Sequence, residues 1–207
     1  MNALDRAMKR GAPLEHAEKA MIMIHGRGAT AQGILDLYQY FDYPHIAYLA
    51  PQAEGGSWYP KSFMAPLQDN EPGISRGLAT IDELMVGLED IYGLLPRDIY
   101  LLGFSQGACL SLEYVARHAR EYAGIFGLSG GLIGPDETKR DYLGSLADTP
   151  VLLGCSDVDF HIPRQRVEES GAILQRLGAK VTVQLYPDFG HNIHDNEIDY
   201  INSILKK

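Results

Sequence analysis

The sequence predicts an α/β fold built on a mostly parallel sheet with helices on both faces. Short, continuous apolar runs alternate along the 207 residues with longer stretches of helical spacing. Continuous apolar strands separated by helices imply a parallel sheet buried on both sides, because right-handed crossovers lay helices over each face. A second observation is local. The apolar run 99–104 ends in Gly103-Phe104-Ser105-Gln106-Gly107 and passes straight into the helically spaced ACLSLEYVARHA, the strand, sharp turn and helix of a nucleophile elbow. Size is the third: 207 residues at 45% apolar composition support one substantial core and not two. Residues 1–207 are therefore read as a single domain.

Taken in order, residues 1–19 are set apart as an N-terminal extension. The run AMIMIH predicts a strand over 20–25, followed by the turn His25-Gly26-Arg27-Gly28 and a helix over 31–40. A strand over 46–50 leads into the long connection 51–72, which carries Trp58, Tyr59, Phe63 and Met64 among glycines and prolines. A loop of that length inside a compact domain is more often functional than incidental. Its aromatics are expected to line an acyl or aryl pocket, Trp58 first, with Tyr59 and Phe63, or else to fold back over the core. Helices are predicted over 74–92, 106–120, 138–146, 163–177 and 195–205, and strands over 99–104, 124–128, 151–154 and 181–186.

A Gly-x-Ser-x-Gly frame is weak on its own. With 22 glycines in the chain it arises by chance in roughly one such sequence in ten, and Gly127-Leu128-Ser129-Gly130-Gly131 matches it too. The residues after each serine separate the two frames. Gly130, Gly131 and the Gly134-Pro135 step break helices, whereas the run after Ser105 has helical spacing. Ser105 is thus the predicted nucleophile.

A serine hydroxyl needs a base, usually a histidine, and that histidine needs a carboxylate to fix its tautomer and stabilise its charged form. In a parallel α/β sheet the site lies beyond the carboxyl ends of the strands, and on an elbow fold the chain order is serine, acid, histidine. Of seven histidines, His16, His25 and His45 precede Ser105, and His118 falls on the following helix. The segment CSDVDFHIP after strand 151–154 offers Asp157 and Asp159, and PDFGHNIHDNE after strand 181–186 offers His191, turned by Gly190. His194 is expected to cap the last helix, and His161 to help shape the site. Donors for a developing oxyanion would be the backbone N–H of Gln106 and one from the HGRG turn, that of Arg27. The Arg27 side chain is available to meet an acidic substrate group.

Composition excludes other classes. A formal charge of −9 disfavours nucleic acid and anionic membrane surfaces. No stretch has the length and apolarity of a membrane helix, and MNALDRAMKR lacks the apolar centre of a signal peptide, so the cytoplasm is the expected compartment. The two cysteines, Cys109 and Cys155, have no metal or disulfide spacing and are expected to be reduced packing residues, Cys155 alternatively an oxidation-sensitive thiol. Two other functions compete with a serine hydrolase: metal-dependent chemistry on Asp157, Asp159, His161, His191 and His194, which leaves the elbow unexplained, and a binding module on a hydrolase scaffold.

HGRGA at His25, PQ followed by SWY between Pro51 and Tyr59, GFSQGA at Gly103, LSGG at Leu128, the step Asp159-Phe160-His161-Ile162-Pro163 and Gly190-His191 together resemble the phospholipase/carboxylesterase family of small α/β-hydrolases. The resemblance spans most of the chain. It implies Ser105 as nucleophile, Asp159 as acid and His191 as base, with no separate lid domain, no cofactor and no metal. It further implies hydrolysis of small or soluble carboxylic esters, with thioesters, lysophospholipids or acylated proteins as alternative substrates, by a monomer or homodimer without stable membrane insertion. The family often has His-Gly before the acid and proline after it; here Cys155-Ser156 and Phe160 stand instead, implying a branch distinct from the lipid-directed thioesterases.

Overall fold

In the computed structural model, which describes residues 2–206, the strands are β1 (Met8–Gly11), β2 (Lys19–Ile24), β3 (Ile46–Ala50), β4 (Ile99–Phe104), β5 (Gly124–Leu128), β6 (Pro150–Ser156) and β7 (Lys180–Tyr186). The helices are α1 (Ala3–Arg6), α2 (Ala31–Leu35), α3 (Gly73–Tyr92), α4 (Gln106–Arg117), α5 (Arg164–Arg176) and α6 (Asp195–Leu205). The strands form one sheet in the order β1-β3-β2-β4-β5-β6-β7, parallel throughout except for β1, which pairs antiparallel with β3.

Strand side chains alternate between faces, and that alternation builds two cores. Ile22, Ile24, Leu49, Leu101 and Ile125 pack under α1, α3, α4 and α5, while Met21, Met23, Tyr48, Tyr100 and Phe126 pack under α2 and α6. Both sets are buried, which is why the central strands read as unbroken apolar runs. All residues of α4 from Gln106 to Ala116 are buried. Because β2, β4, β6 and β7 run the same way, their carboxyl ends bring the HGRG turn, the elbow and the loops carrying Asp159 and His191 to one edge.

Three expectations are corrected. The segment set apart as an extension holds α1 and β1, the latter too short and too polar to register as a strand, with Lys9 and Arg10 exposed on the sheet edge. The helix expected over 138–146 does not form: Arg140 donates to the carbonyl oxygens of Ile133, Gly134 and Pro135, Tyr142 donates to Glu113, and Gly144 has φ of 100°. Side-chain anchoring and the glycine outweigh the weak helical preference of so short a segment. The helix expected over 31–40 ends after Leu35 and continues as a 3₁₀ turn over Asp36–Tyr40.

The first turn of α4 presses against the sheet. A Cβ on Gly107 would stand 2.1 Å from the Ile24 carbonyl oxygen, and one on Gly103 would stand 2.3 Å from that of Gly107. Backbone atoms cannot yield as side chains do, so Gly107→Ala is expected to lower unfolding free energy in urea by about 3 kcal/mol or more. Gly33→Ala in α2, whose new methyl would meet no atom nearer than 3.4 Å, is expected to stay within about 1 kcal/mol of the parent.

Candidate active site

Ser105 occupies the step from β4 to α4 with φ of 55° and ψ of −118°, a backbone conformation that L residues rarely adopt. Its amide donates to Leu128 O at 2.9 Å, and its carbonyl accepts from Cys109 N at 3.0 Å. The turn is therefore fixed at both ends. Ser129, in the second Gly-x-Ser-x-Gly frame, also has a positive φ, 52°, but it is fully buried and no helix follows it.

Ser105 Oγ lies 2.8 Å from His191 Nε2, and His191 Nδ1 lies 2.6 Å from Asp159 Oδ2. A carboxylate can only accept, so Nδ1 carries the proton and Nε2 is left to accept one from Ser105. The Asp159 side chain is fully buried and that of His191 is 19% exposed. Burial of the carboxylate is offset by donors: Asp159 Oδ1 accepts from the amides of His161 and Ile162, at 2.8 and 3.1 Å, and the Cys155 thiol donates to Oδ2 at 3.7 Å. The histidine loop is held by Ser156 Oγ, which accepts from Phe189 N at 3.2 Å and Gly190 N at 3.1 Å, while Gly190 takes φ of 78° just before His191. Phe104 and His161 flank the His191 ring, each with its centroid 5.0 Å away.

The other candidates lie apart from this chain of hydrogen bonds. Asp157 accepts from Asp188 N and so ties the two loops together. His194 caps α6, accepting from Asn196 N, and stacks on Tyr186. Among the described residues no group of three or more His, Cys, Asp or Glu side chains is placed to hold a metal ion. Cys155 is buried, and burial with the adjacent Asp159 pushes its thiol up to about 12, far from the thiolate character that oxidation requires.

Arg27 and Gln106, which follow β2 and β4, both bond to the 51–72 loop. Gln106 is the first residue of α4, where a backbone N–H has no intrahelical acceptor. Its side chain has a role that the sequence did not reveal: Oε1 accepts from Trp58 N at 2.9 Å and Nε2 donates to Tyr59 O at 2.8 Å, fastening the 51–72 loop to the elbow. The Arg27 guanidinium donates to Ser57 Oγ and to the carbonyl oxygens of Pro60 and Lys61. His25, fully buried, accepts from Ala53 N at Nε2 and pairs with Gly26 O at Nδ1, so the ring is the neutral Nδ1–H tautomer, and burial lowers its pKa. The bonds to the 51–72 loop join residues 28 to 48 positions apart, so no local pattern marks them.

Trp58, 7% exposed, donates from Nε1 to His25 O at 2.9 Å and packs into the core beneath α3. It faces a separate hollow, with Gln52, Arg76 and Glu83. Tyr59 and Phe63 do line the pocket beside Gln106, of about 220 Å³, whose buried floor they share with Cys109 and Ile162 and whose exposed rim is Arg27, Lys61 and His161. Among the described residues no helix is long and apolar enough to cross a membrane.

The sequence profile of the Phospholipase/Carboxylesterase family matches residues 11–207. The crystal structure of a phospholipase/carboxylesterase from Dyadobacter fermentans superposes with a TM-score of 0.93 at 42% identity, covering 98% of this chain and 96% of that one. Acyl-protein thioesterase 1 of Saccharomyces cerevisiae is 26% identical over 97% of both chains. Acyl-protein thioesterase 1 of Gibberella zeae is 32% identical, over 56% of this chain and 50% of that protein.

Behind the histidine loop, Glu197 is buried. Its Oε2 accepts from His194 N at 2.7 Å, Oε1 has no partner among the described residues, and burial raises the pKa to about 7. Between the ordinary value of 4.5 and about 7 the folded protein keeps a proton that the unfolded chain releases, so this group makes stability fall as pH rises through that window. Glu197→Gln is expected to flatten that decline in urea unfolding measured from pH 5 to 8; an unchanged slope would assign the decline to other groups.

Proposed function

Because the chain belongs to the phospholipase/carboxylesterase family of α/β-hydrolases, we propose that it is a serine esterase acting through Ser105, His191 and Asp159 on small carboxylic esters. The observation that carries the proposal is the continuous hydrogen-bonded path from Ser105 Oγ through both ring nitrogens of His191 to the buried Asp159 carboxylate. Ser105 Oγ attacks the ester carbonyl as His191 Nε2 takes its proton, and Asp159 stabilises the imidazolium without becoming protonated. The amides of Arg27 and Gln106 stabilise the oxyanion. His191 then returns the proton to the leaving alcohol. The resulting acyl-enzyme is cleaved by a water that the same histidine activates, releasing the acid and restoring the serine.

Pocket size supports short substrates. A cavity of 150 Å³ takes up benzene, so about 220 Å³ holds roughly nine non-hydrogen atoms by that yardstick, well short of a long fatty acyl chain. Thioesters of the same size fit the same chemistry, since the step at the carbonyl is unchanged and sulfur leaves more readily than oxygen. A small-molecule substrate met in the cytoplasm, by a monomer or homodimer, completes the reading.

Ser105→Ala is expected to abolish p-nitrophenyl acetate hydrolysis and labelling by a fluorophosphonate while leaving the melting temperature near the parent's. Undiminished turnover would remove Ser105 from its role. Asp159→Asn, which leaves His191 in the wrong tautomer, is expected to lower kcat by about 10⁴-fold. Turnover that survives EDTA separates this chemistry from a metal-dependent one.

A further inference from the structure

The pocket beside Gln106, the residue after Ser105, has a charge opposite to that of the chain as a whole. The protein carries 27 acidic against 18 basic residues. Arg27, Lys61 and His161 nevertheless stand on the pocket rim, and no aspartate or glutamate contributes to its wall. None of the three is in an ion pair among the described residues.

Arg27 is also held in place. Three of the guanidinium's five N–H donors are taken by Ser57 Oγ, Pro60 O and Lys61 O, and neutral acceptors leave its charge uncompensated. The group lies 6.0 Å from the centre of the Tyr59 ring, over an apolar surface that screens poorly. Across the pocket, the His161 ring stands T-shaped to that of His191 with centroids 5.0 Å apart, so the rim is continuous with the hydrogen-bonded path to Ser105.

We infer that this rim binds a carboxylate carried by the substrate itself, so that the preferred esters are small anions: monoesters of short dicarboxylic acids or acyl esters of short hydroxy acids. The inference rests on the esterase reading and narrows its substrate class. The substrate's carboxylate would stand four or five bonds from the scissile carbonyl carbon, and its attraction to Arg27 and Lys61 acts in the ground state and transition state alike. The gain therefore appears in KM more than in kcat.

Two matched pairs test it, each replacing a carboxylate by a methyl ketone of nearly the same shape. Monoethyl glutarate against ethyl 5-oxohexanoate places the charge on the acyl side; 4-acetoxybutanoate against 5-acetoxypentan-2-one places it on the alcohol side. At low ionic strength the anionic member of at least one pair is expected to have a kcat/KM about 10-fold higher, shrinking in about 0.5 M NaCl. The pair that responds identifies the side. Lys61→Gln is expected to lower that ratio severalfold, read as a rise in KM for the anion. Equal or lower efficiency for the anions in both pairs, with p-nitrophenyl acetate still turned over, overturns the inference while the esterase reading stands. Failure to hydrolyse p-nitrophenyl acetate and all four esters overturns both.

Discussion

The site depends on one close approach, that of the first turn of α4 to the ends of β2 and β4. At Gly107 the helix backbone meets the Ile24 carbonyl, and Gly103 meets Gly107, with no room for a side chain at either place. That contact bends the chain sharply enough to leave Ser105 at a positive φ with its hydroxyl toward His191. It also sets Gln106 at the start of α4, where its side chain reaches the 51–72 loop. Strain at the serine is held by packing on both sides of the sheet, the usual condition under which such a conformation persists.

Around that fixed point, the two halves of the site are secured in different ways. Asp159 and His191 are held by loops after β6 and β7 that bond to each other: Asp157 to Asp188, Ser156 to Phe189 and Gly190, Asp159 to His191. The other half is a long loop with only two short 3₁₀ turns, Glu54–Gly56 and Leu67–Asn70, fastened by side chains of His25, Arg27 and Gln106 and by Asn70, which accepts from Lys61 N and donates to Ser62 O. Where the family often has His-Gly before the acid, Cys155 and Ser156 stand here, and each has work to do. The thiol donates to Asp159, and the hydroxyl accepts from the amides of Phe189 and Gly190 ahead of His191.

Most of the fold was legible because buried parallel strands leave a signal that depends only on local apolarity. All six expected strands exist, and Ser105 and His191, chosen from strand ends and chain order, lie within one hydrogen-bonded path with Asp159, which the family resemblance preferred over Asp157. The features that could not be read were set by distant partners. Strand β1 is four residues with exposed side chains, recognisable only from its pairing with β3. Residues 138–146 have acceptable helical spacing, but Arg140 and Tyr142 find partners elsewhere in the fold. The aromatic cluster illustrates the same limit: Tyr59 and Phe63 line the pocket while Trp58, adjacent in sequence, turns beneath His25.

The complete burial of α4 from Gln106 to Ala116 couples the nucleophile to the cooperative unit of the whole domain. A helix enclosed on every side has no low-energy fraying route, so its amides exchange with solvent only through openings that break both cores. The hydrogen-bonded geometry at Ser105 therefore persists for as long as the protein is folded.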